Sequence, residues 1–160
     1  YFRMDKTTRE YLLAHLPELN DPMKRGIAWI NLWEDMLYGF SSPNDLIQLS
    51  IRALETETDI LNIQRILERL NDIFWHYLLD SQRQEIVLKL ETALKTHLDS
   101  AETVSLKSSF FHALRSVTLT DGGISWLKNV WMKSDSITGL KFSERDYMYM
   151  ATELALRGKS

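Results

Sequence analysis

Four histidines, His15, His76, His97 and His112, and the absence of cysteine frame what chemistry this 160-residue chain can carry. None of the four stands in H-E-x-x-H, where two imidazoles one helical turn apart grip zinc beside a catalytic glutamate. Without cysteine there are no disulfides, thiolate zinc sites or cysteine nucleophiles. The compartment stays open, because a cysteine-free chain suits either redox environment. His76 and Asp80 are spaced i,i+4, at which a carboxylate on one helix face orients an imidazole. A histidine near a helix C-terminus more often answers the macrodipole, and that structural reading is preferred. Glu55, Glu57 and Asp59 form a short acidic run without the D-x-[DN]-x-[DN]-G framework and distal Glu of a calcium loop, so it reads as a solvated turn serving the next helix. Gly122-Gly123 follows Asp121 with no P-loop lysine and no strand ahead, and reads as the start of a helix. No catalytic residue and no metal ligand is assigned, and no cofactor is expected in this segment.

Five tryptophans are many for this length, and tryptophan is enriched at binding hot spots. Trp29 and Trp33 stand at helical spacing and are assigned to the core. Trp75, beside Phe74 and His76, and Trp131 are assigned to a possible docking surface. Residues 132–142, MKSDSITGLKF, make the longest stretch without helical period, a loop that contacts a partner or simply joins two helices.

The elements that must position these residues follow from composition and pattern. The chain holds 6 Gly and 3 Pro, none of them between Asn44 and Asp121, and leucine far outweighs the strand-favouring valine. An all-α fold is predicted. Helix starts are marked where Ser, Thr, Asp or Asn accepts from the free first-turn amides, most clearly where Pro follows, as in Asp21-Pro22 and Ser42-Pro43. Further starts fall at Asp5 or Thr7, Thr58-Asp59, Asp80 or Ser81, Ser100, Thr120-Asp121 and Ser143, which makes eight helices. Apolar residues recur at three and four between them. Ile63, Ile66, Leu67, Leu70, Ile73, Phe74, Tyr77 and Leu78 form the longest stripe. Trp29, Ile30, Trp33, Met36, Leu37 and Phe40 line the second helix, with Ile27 and Leu32 off that line, so this helix is expected to be buried on more than one side. Gly158 is a natural C-terminal cap.

Alternate starts at Asp5, Pro43, Ser81 and Asp121 are 38, 38 and 40 residues apart, near the period of armadillo and HEAT arrays. The expected architecture is therefore about eight antiparallel helices stacked as HEAT/armadillo-like pairs, a short right-handed α-superhelix over residues 1–160, with a plain bundle as the alternative. A net charge of -3 with no Lys/Arg-dense stretch argues against nucleic acid as a partner. No apolar run is long enough to span a bilayer and no signal-peptide pattern opens the chain, so a soluble segment is expected. Residue 1 is Tyr, which suggests a piece of a larger protein, with Tyr1-Phe2-Arg3-Met4 as the tail of a preceding helix pair.

Three stretches stand out together: Asp21-Pro22-Met23-Lys24-Arg25 leading to Trp33-Glu34-Asp35-Met36, the run from Glu55 to Leu70 with Glu57-Thr58-Asp59, and Gly139 to Gly158 with Gly139-Leu140-Lys141-Phe142. In order, they resemble the helical C-terminal domain of the aminopeptidase N family of zinc metallopeptidases, the endoplasmic-reticulum-aminopeptidase-like domain. That domain carries D-P-x-x-R before W-(E/D)-x-M, then E-T-D, then G-L-x-(hydrophobic) ahead of its last helix. The chain departs from the pattern where Tyr147-Met148 follows Asp146 in place of an Arg-Trp pair. The resemblance implies a non-catalytic cover that packs on the catalytic domain of the same chain and encloses the chamber through which peptide substrates reach zinc. Zinc, its ligands and the general base would belong to the parent enzyme upstream, and no catalytic residue transfers to this sequence. The alternative is a stand-alone helical-repeat module that binds a protein partner.

Overall fold

The computed structural model describes residues 4–158. Among these residues lie eight α-helices and no strand: α1 (Lys6–His15), α2 (Pro22–Leu37), α3 (Pro43–Leu54), α4 (Ile60–Asp72), α5 (Asp80–Ser100), α6 (Val104–Val117), α7 (Asp121–Trp131) and α8 (Glu144–Leu156). A 3-10 turn, Leu16–Glu18, follows α1, and a π-helical turn, Ile73–Tyr77, continues α4. The tail assigned to a preceding helix pair falls mostly on Tyr1, Phe2 and Arg3, outside the described residues; Met4 is buried.

The helices begin where local chemistry satisfies their first amides. Asp5 accepts from the Thr8 amide, Asp21 from Met23 and Lys24, Ser42 from Asn44, Asp59 from Asn62 and Thr120 from Gly123. Each such cap contributes about 1 kcal/mol. At α8 the arrangement is reciprocal, with Ser143 accepting from the Asp146 amide while Asp146 accepts from that of Ser143. The exception to the expected starts is α6. Ser100 is the last residue of α5, its hydroxyl turned back toward the His97 carbonyl, and Thr103 caps α6 by accepting from the Leu106 amide at 3.2 Å. At the far end of α8, Gly158 takes φ +66°, and its amide donates to the Ala155 carbonyl at 3.0 Å, the left-handed close that glycine allows.

The chain divides into two compact units, one reaching to Gln82 and the other starting at Arg83. In the first, α1 packs on α3, α3 on both α2 and α4, and α2 on α4. Leu32, Ile47, Leu49, Ile66, Leu70 and Phe74 fill its core. In the second, α8 packs on α6 and α7 around Leu90, Leu94, Phe111, Leu127 and Met150. The π turn widens the end of α4 so that Ile73 and Phe74 are both buried, at 1% and 0% exposure, closing with the Leu78 amide on the Ile73 carbonyl at 3.1 Å.

The second helix departs from expectation. Arg25, Ala28, Trp29, Leu32, Trp33, Asp35 and Met36 make its buried side. Of the expected line, Trp29, Trp33 and Met36 are buried together with the off-line Leu32, whereas Ile27, Ile30, Leu37 and Phe40 are exposed by 54%, 48%, 44% and 39%, so the burial lies on one side and not on several. The contacts with α4 run through Pro22 and Gly26, whose carbonyls accept from Asn62 and Arg65, and this turns the next residues round the helix outward.

Candidate functional site

The conspicuous buried chemistry is ionic and joins segments far apart in sequence. Arg25 grips Glu57 in bidentate fashion, Nε donating to Oε2 at 2.7 Å and Nη2 to Oε1 at 2.6 Å, with the side chains only 11% and 2% exposed. The third guanidinium nitrogen donates to the Leu19 and Asn20 carbonyls. Glu57 also accepts from the amides of Thr58 and Asp59 and from Asn62 Nδ2, which reaches the Pro22 carbonyl as well. Burial pushes the Glu57 pKa up. The hydrogen bonds from Arg25 and the Asp59 amide, the Arg25 charge and the Thr58 amide outweigh it, and the pKa lies below its ordinary value. Glu57 is therefore an anchored carboxylate and not part of a solvated turn, whereas Asp59 does cap the next helix as its position suggested.

Asp35, fully buried, receives Arg9 Nε at 2.8 Å, while its carbonyl accepts from the Phe40 and Ser41 amides. Glu91 of α5 accepts from the Leu119 and Thr120 amides and the Thr120 hydroxyl, gripping the turn into α7. Gly123 must be glycine for this grip, since a Cβ there would stand 2.4 Å from Glu91 Oε2. The Gly122-Gly123 pair thus lies in the first turn of α7, as expected, and its second member serves packing.

The third stretch organises the approach to α8. Gly139 takes φ +87°, Lys107 Nζ of α6 donates to the Thr138 carbonyl, and the Phe142 ring lies 4.6 Å from that of Phe111. Residues 132–142 thus connect α7 and α8 with Ile137 buried and Lys107 holding them to α6. Arg157 closes the other end of α8, donating to the carbonyls of Thr118 and Ser116 and to Glu153.

His15 meets Glu18 at 3.0 Å and His97 stacks on Phe110. The i,i+4 relation of His76 and Asp80 does not place them on one helix face, because His76 lies in the π turn, Leu78 is extended, and Asp80 opens α5. His112 Nε2 is 3.8 Å from Asp146 Oδ1, and Ser143 Oγ is 2.7 Å from Oδ2 of the same carboxylate. Here the carboxylate stands between hydroxyl and imidazole, so the imidazole does not face the hydroxyl as a base would. Burial and the neighbouring Arg115 charge lower the His112 pKa against the pull of Asp146. Hydrogen bonds from Ser143 hold that of Asp146 down. Arg115 itself lies 5.0 Å from the Tyr149 ring, with Nε and Nη1 buried and unpartnered. Among the described residues no group of three or more His, Cys, Asp or Glu is placed to hold a metal ion.

Of the two residues assigned to docking, Trp75 is half-buried in the π turn with its ring 5.1 Å from Phe74, and Trp131 ends α7 with 38% exposure. They belong to different units. Trp29 and Trp33 are core residues, the latter under Arg69 at 4.3 Å. A surface cleft of about 450 Å³ opens between α5 and α7 over Trp126, whose ring carries Lys95 at 5.0 Å. Another, of about 480 Å³, lies between α1 and α3 beside Arg52. A further surface feature is the outward face of α2, where Met23, Ile27, Ile30 and Leu37 are exposed, as is Tyr38 at its C-cap. The sequence reading missed it because a period of three and four fits the outward residues as well as the inward ones.

No family model matches this chain, and no curated protein matches it. No described helix is long and apolar enough to cross a membrane.

Proposed function

We propose that this chain is a non-catalytic helical-repeat domain of a zinc aminopeptidase of the aminopeptidase N type, which packs on the catalytic domain and encloses the space through which peptides reach the metal. The observation that carries this reading is the meeting of two of the three resembling segments: Arg25 of D-P-x-x-R and Glu57 of E-T-D form one buried bidentate pair. Asp21 and Asp59 of the same segments cap the two helices that the pair joins. Motifs whose residues depend on each other in space are less easily matched by chance than separate helical words.

The finer architecture belongs to the same proposal. First helices α1 and α3 pack together, as do second helices α2 and α4, and α1, α3, α5 and α7 begin 37, 37 and 41 residues apart. This supports pairs stacked in the HEAT manner, whose curved face suits an extended peptide. The part played by the domain is then steric, limiting substrate size and water access, while zinc-polarised water does the hydrolysis elsewhere.

The test is immunoprecipitation from source cells with an antibody to this segment. The precipitate is expected to release the fluorophore from an aminoacyl-coumarin reporter, with loss of turnover in 1,10-phenanthroline and recovery with zinc. A quantitative precipitate without that activity contradicts the proposal. The second reading, a stand-alone interaction module, is favoured by the exposed apolar face of α2.

A further inference from the structure

On α2, Met23, Ile27, Ile30 and Leu37 follow one another at four, three and seven, which confines them to an arc of about 80° on the helix, and Tyr38 follows as its C-cap. Their exposures are 74%, 54%, 48%, 44% and 61%. The arc faces neither the core, which takes Leu32 and Met36, nor α4, which meets Pro22 and Gly26. Five large apolar side chains on one face, interrupted only by the half-exposed Glu34 between Ile30 and Leu37, are more than the scattered exposure of a solvated surface requires.

Charge selects the occupant. Lys24 borders the row and Glu34 lies within it, ten positions and about 15 Å apart along the axis, with Ile27 and Ile30 between them. Against an antiparallel copy of the same helix, with the twofold axis near Ile30, each Lys24 meets the Glu34 of the other chain. Met23 then faces Leu37, and the isoleucines meet at the centre. A parallel copy sets like charge on like charge at both ends. The row is thus complementary to itself in one orientation, as an isologous twofold contact requires.

We propose that the outward face of α2 is a homodimer interface, in which two copies pack α2 against α2 antiparallel, through Met23, Ile27, Ile30 and Leu37, with reciprocal Lys24–Glu34 pairs. The contact does not rest on the peptidase reading. Failure of one leaves the other standing, since the immunoprecipitation assay reads activity and this contact is read by mass.

The experiment is sedimentation equilibrium of the 160-residue chain over a wide concentration range, with circular dichroism confirming helix content for each variant. The wild-type chain is expected to dimerise. Ile27→Glu with Ile30→Glu is expected to weaken association by roughly a hundredfold, because two central apolar side chains per copy become charged and both are already solvent-exposed in the free chain. Lys24→Glu alone and Glu34→Lys alone each place like charges together and are expected to weaken it about tenfold. Lys24→Glu combined with Glu34→Lys is expected to restore it. A chain that stays monomeric at the highest concentration overturns the proposal. So does association indifferent to the isoleucine changes, or a double charge reversal as weak as the single ones.

Discussion

Arg25 and Glu57 are 32 positions apart in sequence, and neither would be tolerated in a core alone. Removing one partner leaves the other charge buried and unpaired, so Glu57→Gln or Arg25→Met is expected to cost about 3–5 kcal/mol, measured by urea unfolding. A loss below about 1 kcal/mol would show that the pair is solvated. The pH dependence has two stages with one sign. The folded chain binds a proton at His112 less readily than the unfolded chain, so the stability that depends on neutral His112 is complete above about pH 6.5 and falls as pH drops through its lower folded value. Glu57 is likewise lowered, and its contribution is complete above about pH 4.5 and disappears as pH falls further. The urea midpoint should therefore decline in two steps between pH 7 and pH 3, and His112→Gln should remove the upper one. An unchanged upper step in that variant would contradict the assignment. These partnerships were not legible in the sequence, because an acidic residue in a turn looks the same whether it faces water or an arginine from a distant helix.

At the scale of the element, much more could be read beforehand. Caps act over three residues, so Asp21, Ser42, Asp59, Thr120 and Ser143 announced their helices without help from tertiary structure. Ser100 misled because α5 runs through it and the competing cap, Thr103, lies only three residues further on. Thr103→Ala is accordingly expected to lower stability by about 1 kcal/mol, with Ser100→Ala nearly neutral. Equal losses in thermal melts would restore Ser100 as a cap. The neighbouring glycines of α7 should respond with opposite signs. Gly122→Ala puts a methyl into open space and gains up to about 0.5 kcal/mol of helix propensity. Gly123→Ala drives one against Glu91 and is expected to cost about 1–3 kcal/mol. The unexpected π turn at Ile73–Tyr77 had no local signature, since its residues continue the apolar spacing of α4 and only packing distinguishes the wider turn.

For the whole molecule, an all-α chain of eight described helices was evident from sparse Gly and Pro and from the three-and-four spacing of leucine, isoleucine and phenylalanine. Which faces remain outside was not, because burial depends on neighbours, and Ile27 and Ile30 of α2 are as apolar as the residues beneath them. Such a surface suits a chain that works by packing against another, which is the common ground of the peptidase-domain and interaction-module readings. The two separate in the size of the native polypeptide. The most direct measurement is the mass of the endogenous protein carrying this segment, by immunoblot of source-cell lysate followed by peptide sequencing of the band. A band several times larger than 18.7 kDa whose upstream peptides contain H-E-x-x-H is the predicted result. A single band near 18.7 kDa, or a larger one without that zinc motif, would contradict it.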